Sequence, residues 1–336
     1  MGLLVENFRE FVLNDDINNP RLGEVDVGNG NVQAYMLALG VLHFKSGVSG
    51  KKRFDSAGIH GDEVDGQYAL NDAVNGVISG EVDLPSGEWL VALGNILAIR
   101  ENVRETGFNL NRLFGEHGRE KAQGTYERKR ADELDHIEDE FGPNAHSDWH
   151  GTIAPVHQPF IISSIAKREL DNPEYRDYRL KYAANFGIGN TIIRPYDQNN
   201  KYATFEWSAA DKMIRNGRIP QAETIELGQI GTPLSAAMVA KISLGLKTVL
   251  SNDLIIPGPS GSVDHKTWRV DQQILKSSPD FRFALDRVAD FMTLQEDQLI
   301  ATDGKTQYRA KKGQVLIFPH ESVKVGEQVF LLISQE

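Results

Sequence analysis

The sequence contains no cysteine. That absence removes disulfides, thiol nucleophiles and thiolate metal sites together, and a chain without disulfides is compatible with the cytoplasm. Long hydrophobic runs are missing too: nothing approaches the roughly 18 apolar residues needed to cross a bilayer. Met1-Gly2-Leu3-Leu4-Val5-Glu6 has no basic start and too short an apolar run for a secretory leader, and Glu6 argues against myristoylation. Basic residues are in deficit, with 36 Lys and Arg against 47 Asp and Glu and a net charge of −11. Such a field disfavours nucleic acid and repels anions at long range, so an anionic substrate needs a local basic pocket. There is no Gly-x-Ser-x-Gly elbow, no Walker-type phosphate loop and no His-Glu-x-x-His helix. Gly28-Asn29-Gly30 lacks the third glycine of a dinucleotide fingerprint. The expectation is a cytoplasmic protein with no nucleic-acid and no membrane partner.

What is there is ordinary globular composition, 40% hydrophobic and 25% charged over 336 residues. That length is more than one core needs and predicts a large domain plus a smaller one. Residues 4–13 place Leu4, Phe8, Phe11 and Val12 at helical spacing, and residues 31–44 turn β-like, with Gly40 a bend or bulge in a strand pair. Residues 53–57 are expected to form a strand, though a polar one, and residues 63–78 a helix. Residues 88–93 make the short apolar run of a central α/β strand. Residues 95–115 lack a period and read as a long functional loop, and the charge-dense residues 116–141 read as a solvated helix face. Strands are expected at 159–165, 190–194 and 224–228. Helices are expected at 173–186 and from Pro233 to about Leu250, with Pro in the first turn. The alternation predicts an α/β layered domain. Residues 256–262, rich in Pro, Gly and Ser, read as a linker. Short strands at 268–275, 282–284, 315–319 and 328–333 then predict a mostly-β unit, dividing the chain into residues 1–255 and 263–336.

The chemistry centres on Ala57-Gly58-Ile59-His60-Gly61-Asp62-Glu63. His60 and Glu63 stand at a spacing that lets an imidazole and a carboxylate share one metal ion. The spacing recurs at His117 and Glu120, and as His136 and Asp139, but both pairs lie in the charged stretch and read as surface. The His60 copy follows a candidate strand and opens a helix, as many site loops do in α/β folds. A catalytic zinc takes three protein ligands, often two His and one carboxylate, and keeps a fourth position open. His150, in Asp148-Trp149-His150-Gly151-Thr152, is the leading third ligand, with Asp148 to orient it; His146 and His157 compete for the role. Glu226 stands in an apolar strand where an unpaired charge is costly. It either pairs with a base or serves as a positioned acid and base. Arg104 and Arg112 fall in the irregular stretch; guanidinium groups bind carboxylates bidentately and polarise carbonyls. Asn111 adds a neutral donor beside them.

Four blocks in order resemble the succinylglutamate desuccinylase/aspartoacylase family of zinc-carboxypeptidase-like amidohydrolases. They are Ala57 through Glu63; Leu93-Gly94-Asn95 with Arg104 and Asn109-Leu110-Asn111-Arg112-Leu113-Phe114; Asp148-Trp149-His150; and Thr224-Ile225-Glu226-Leu227-Gly228. The resemblance covers nearly the whole chain, and Val315-Leu316-Ile317-Phe318-Pro319 looks like the bacterial desuccinylase branch. It implies one zinc ion per chain on His60, Glu63 and His150, with Glu226 as general base and acid. It implies Arg104 as the carbonyl-polarising residue and Asn111 with Arg112 as the holders of a substrate carboxylate. The fold it implies is an α/β, zinc-carboxypeptidase-like mixed sheet flanked by helices, with a smaller mostly-β C-terminal domain. The partner it implies is a small anionic N-acyl amino acid, and in the desuccinylase branch hydrolysis of N2-succinylglutamate to succinate and glutamate, in arginine catabolism. The alternatives are a deacylase of another N-acyl amino acid, aspartoacylase-like, or a catalytically silent zinc- or ligand-binding member. Three positions depart from the pattern. Asn109 stands where the family usually has Asp, loosening the orientation of the arginines. Ile153 leads to Ala154-Pro155 rather than to Arg, which removes a substrate-binding cation. Residues 53–56 are unusually polar.

Overall fold

A computed structural model describes residues 2–156, 158–165, 172–195, 203–232, 234–254 and 264–336, with the backbone alone at His117. The amphipathic start folds as α1 (Phe8–Asn14), capped by Asn7, and β1 (Gly23–Val25), β2 (Val32–Ala38) and β3 (Val41–Ser46) follow. Gly40 is the turn of the β2–β3 hairpin, with φ +73°, rather than a bulge. The polar run forms β4 (Lys52–Ala57), then come α2 (Val64–Ser79), β5 (Glu88–Leu93) and α3 (Ile96–Glu101). Residues 95–115 are thus only partly a loop: they also hold a 3-10 turn at Leu110–Arg112. The charged stretch makes α4 (Glu116–Lys121) and α5 (Tyr126–Phe141), and β6 (Ala145–Thr152) and β7 (Phe160–Ile165) come next. Then follow α6 (Pro173–Phe186), β8 (Asn190–Pro195), α7 (Phe205–Arg215), β9 (Ala222–Gln229) and α8 (Ala236–Leu250). The helix foreseen from Pro233 is α8, capped by Ser235; Pro233 itself and the linker residues 256–262 lie outside the described residues.

The C-terminal region is β throughout, with β10 (Lys266–Leu275), β11 (Arg282–Phe283), β12 (Met292–Thr293) and β13 (Leu299–Asp303). β14 (Thr306–Arg309), β15 (Gln314–Ile317) and β16 (Gln328–Gln335) complete it. Its larger part continues the main sheet, whose thirteen strands run β1-β2-β3-β5-β4-β6-β9-β7-β8-β10-β16-β15-β12. β11, β13 and β14 form a second, three-stranded sheet. β5, β4, β6 and β9 are mutually parallel, and β7 returns antiparallel to β9.

The centre of the sheet is covered on both faces. Along β5 the period-2 alternation sends Trp89, Val91 and Leu93 into a core shared with α2, α6 and α8. Leu90 and Ala92 enter the opposite core, shared with α5 and α7. Arg53, Asp55 and Ser56 of β4 are buried and hydrogen-bonded, with only Arg53 Nη1 lacking a partner among the described residues. Arg53 and Asp55 point to one face and form a bidentate ion pair (2.7 and 2.7 Å), and the Asp55 carboxylate also accepts the indole N–H groups of Trp89 (2.9 Å) and Trp149 (3.1 Å). No described helix is long and apolar enough to cross a membrane.

Candidate metal centre

β4 stops at Ala57, and the next six residues carry His60 and Glu63 to the start of α2. The turn packs so tightly on α3 that glycine is required. A Cβ on Gly58, whose φ is +68°, would lie 2.5 Å from Ile99 Cδ1, and one on Gly61 would lie 2.1 Å from the Ala98 carbonyl carbon. Gln67, one helical turn on, donates to the Gly61 and Glu63 carbonyls at 3.0 and 3.2 Å. His150 comes from β6, which adjoins β4. The group therefore sits at the carboxyl ends of parallel strands, where the chain switches from β5 on one side of β4 to β6 on the other. Open α/β sheets bind ligands at such switch points.

His60, Glu63 and His150 are all buried, and their ligand atoms lie within 4.8 Å of one another, so the group could hold a metal ion. Glu63 Oε1 lies 2.7 Å from His60 Nδ1, and Glu63 Oε2 lies 2.7 Å from His150 Nδ1. The outer nitrogens settle the protons. His60 Nε2 faces Asn109 Oδ1 at 3.0 Å, and that atom also accepts the Asn111 backbone N–H at 3.0 Å, so it is an oxygen and Nε2 must donate. His150 Nε2 donates to Asp148 Oδ2 at 2.8 Å. A neutral imidazole that donates from Nε2 carries its lone pair on Nδ1. For His60, two acceptors then face each other across 2.7 Å, an arrangement that a shared cation relieves. A proton cannot readily replace it, because burial foremost, with Arg104 and His150, pushes the His60 pKa down to about 4 against the pull of Glu63. His150 differs. Burial disfavours its charge, but Asp148 and Glu63 outweigh burial and raise it well above the ordinary histidine value. Two imidazoles and one carboxylate are a zinc donor set.

Glu226 lies beside His150 in the β6–β9 register. It is buried and, among the described residues, its Oε2 has no hydrogen-bond partner. Burial, with Glu63 and Asp290 adding negative charge, pushes its pKa up to about 8 against the pull of His150 and Arg104. Arg104 Nη1 donates to Glu63 Oε1 at 3.0 Å. Its loop is anchored by the buried Glu127, which accepts the Thr106 hydroxyl (2.6 Å) and the Gly107 N–H (2.9 Å). Arg112 reaches solvent through the cleft mouth. The surrounding protein first, then Arg104 and Arg194, push its pKa down to about 10. Arg104 and Arg194, paired with Glu63 and Glu206, thus lie close enough to act on Arg112, as do Glu327 and Glu105. Asn111 is buried; its Oδ1 accepts the Phe205 N–H at 3.0 Å and its Nδ2 lies 3.3 Å from His150 Nε2.

The other histidines separate. His136 is exposed, as is Asp139, while His117's side chain and His157 lie outside the described residues. His146 is fully buried but bonds Glu138 and Ser56, away from the three-ligand group. Sequence reasoning missed Asn109 as the partner of His60, Glu127 as the loop anchor, and Arg194. It also treated Glu127, Arg130 and Glu138 as parts of a solvated face, whereas all three are buried and paired.

The catalytic-domain profile of the succinylglutamate desuccinylase/aspartoacylase family matches residues 49–252, and the family's barrel-sandwich hybrid domain matches residues 264–336. Succinylglutamate desuccinylase of Idiomarina loihiensis is 26% identical over 293 residues, 83% of this chain and 81% of that protein. The protein of that name from Vibrio cholerae is 25% identical over 343 residues, 97% of this chain and 94% of its own. A crystal structure of succinylglutamate desuccinylase from Vibrio cholerae superposes with a TM-score of 0.83 at 22% identity, covering 100% of this chain and 96% of that one. The chain belongs to the succinylglutamate desuccinylase/aspartoacylase family.

Proposed function

We propose that this protein is a zinc-dependent amidohydrolase that cleaves N2-succinylglutamate to succinate and glutamate, in arginine catabolism and in the cytoplasm. The observation that carries the reading is the His60 lone pair aimed at a buried carboxylate, with an unpartnered Glu226 oxygen alongside. His60, Glu63 and His150 hold one zinc ion per chain. When bound, the ion supplies a Lewis acid for the carbonyl and makes water nucleophilic at neutral pH.

The protein's own groups do the rest. Glu226 takes a proton from the attacking water and passes it to the leaving amine; its Oε2 has no hydrogen-bond partner among the described residues that would compete for the proton. Arg104, already within 3.0 Å of Glu63, polarises the scissile carbonyl. Arg112 clamps the amino-acid carboxylate, its guanidinium aimed by a hydrogen bond to the Asn111 carbonyl (2.9 Å). Asn111 itself helps hold the clamp. Residues 1–255 form the catalytic domain and residues 263–336 the C-terminal β domain. The names of relatives that match along most of the chain support the succinyl substrate.

A second reading, a deacylase of another N-acyl amino acid, is favoured by Ala154-Pro155, where Ala154 is buried and supplies no cation. One assay decides: zinc content measured together with primary amine released from N-succinylglutamate and from N-acetylaspartate. The proposal expects one zinc per chain and release from N-succinylglutamate. Release from N-acetylaspartate alone moves the assignment to the second reading, and zinc without any release makes the protein a silent member.

A further inference from the structure

The hydrogen bonds behind His150 do not end at Asp148. Ser56 on β4 donates its hydroxyl proton to Asp148 Oδ1 at 2.6 Å. The same Ser56 Oγ lies 3.1 Å from His146 Nε2, and His146 Nδ1 lies 2.7 Å from Glu138 Oε1 on α5. Glu138 Oε2 accepts from Lys212 Nζ on α7 at 2.8 Å. Ser56, His146 and Asp148 are 0% exposed and Glu138 1%, so the line runs through the interior until Lys212 at the rim.

Donors and acceptors along this line fit one another. Asp148 accepts at both oxygens, from His150 Nε2 and from the Ser56 hydroxyl. Ser56 has a single proton, directed to Asp148, so its lone pair faces His146 Nε2. Glu138 is engaged at both oxygens too, by His146 Nδ1 and by Lys212 Nζ. The ring packs between Phe54 (4.6 Å) and Phe205 (4.7 Å), which hold its plane.

We propose that Glu138, His146 and Ser56 are positioning residues for the metal centre, a buried hydrogen-bonded relay that fixes Asp148 and, through it, the orientation of His150. The inference rests on reading His60, Glu63 and His150 as metal ligands. It makes the two imidazole arms unequal. His60 is backed by one neutral amide, whereas His150 is backed by a carboxylate, a hydroxyl, an imidazole and a second carboxylate in series. Outer partners of ligating histidines are commonly worth 10- to 100-fold in metal affinity.

The test measures the zinc dissociation constant of the full chain by competition with a chelator, for the parent, Ser56→Ala, His146→Gln and Trp89→Phe. Trp89 donates to Asp55, which lies on the opposite face of β4 from Ser56, and reports a loss of stability alone. The relay expects Ser56→Ala and His146→Gln to weaken zinc binding about tenfold or more, with Trp89→Phe unchanged. Metal-free melting temperatures that fall alike in all three variants, with an unaltered zinc constant, overturn it. Nitrogen-15 spectra of the His146 ring in the unsubstituted protein need no variant to fold. A His146 ring N–H proton protected from exchange supports the relay, and one that exchanges as fast as a solvent-exposed imidazole overturns it. A parent protein that takes up no zinc overturns the relay together with the reading of the ligands, whereas parent binding with unaffected variants overturns the relay alone.

Discussion

Strand β4 and the turn that follows it hold two buried polar groups, each completed from β6, and the two are finished differently. Around Asp55, four N–H donors meet one carboxylate: Arg53 Nε and Nη2, Trp89 Nε1 and Trp149 Nε1. Around Glu63, the carboxylate also has four neighbours, but only Arg104 and the Gly151 N–H are plain donors. The other two are the Nδ1 atoms of His60 and His150. A carboxylate saturated by fixed donors is part of the framework. One that faces an imidazole lone pair, as Glu63 faces that of His60, needs something brought from outside. The same contrast separates two further buried glutamates, since Glu138 is bonded by both oxygens while Glu226 Oε2 has no hydrogen-bond partner among the described residues.

Substitutions should affect the two groups in opposite ways. The largest effect is expected at Glu226→Gln, which keeps shape and removes the proton acceptor. Turnover falls about 10²- to 10⁴-fold, while zinc content stays at the parent value; steady-state rates alongside metal analysis check both. At the closed group the loss is in stability. Asp55→Asn leaves Arg53 buried without its counter-ion and costs about 3–5 kcal/mol, read by urea unfolding, while the protein that remains folded binds zinc as before. A drop in zinc affinity equal to that of a ligand substitution would erase the distinction.

Titration sharpens it further. The Glu226 pKa is raised from 4.5 to about 8 in the metal-free protein. A raised carboxyl pKa means that its contribution to stability is full below about 4.5 and is lost as pH climbs toward 8. Metal-free Glu226→Gln should therefore gain on the metal-free parent by at most roughly 1.4 kcal/mol per pH unit across that window. Parallel stability curves for the two would show that the Glu226 carboxyl is solvated rather than confined. The smallest effect is expected at the cleft mouth. Arg112→Lys keeps the charge but loses the fork, so KM for the N-acyl amino acid rises about tenfold with kcat little changed.

How much of this was legible in the residues depended on distance along the chain. The His60–Glu63 turn was readable because it is local, three residues framed by glycines that the close packing on α3 demands. The strands β5, β7 and β8 announced themselves through apolar, β-rich runs. His150 and Glu226 followed from the need for further ligands and a base, once ordered blocks of a known family stood beside them. What was hidden lay in pairings across the sheet. Asn109 meets His60 across 49 residues, and Ser56 meets Asp148 across 92; no spacing rule reaches that far. The polarity of β4 looked like a weakness of the strand, yet Arg53 and Asp55 share a face at period 2 and neutralise each other. The rule that charge runs are solvated held at His136 and failed at Glu127, Arg130 and Glu138. Each of those three turns inward to a particular partner: the Arg104 loop, the Leu93 and Gly94 carbonyls, and His146.

The central claim is that the Glu63 group is completed by a metal ion and the Asp55 group is complete already. Isothermal titration of the metal-free full chain with zinc, repeated on Glu63→Gln, tests it most directly. The account predicts one zinc per chain for the parent and no stoichiometric binding for Glu63→Gln, with the metal-free variant as stable as its parent. Equal binding by both proteins, or none by the parent, would contradict it.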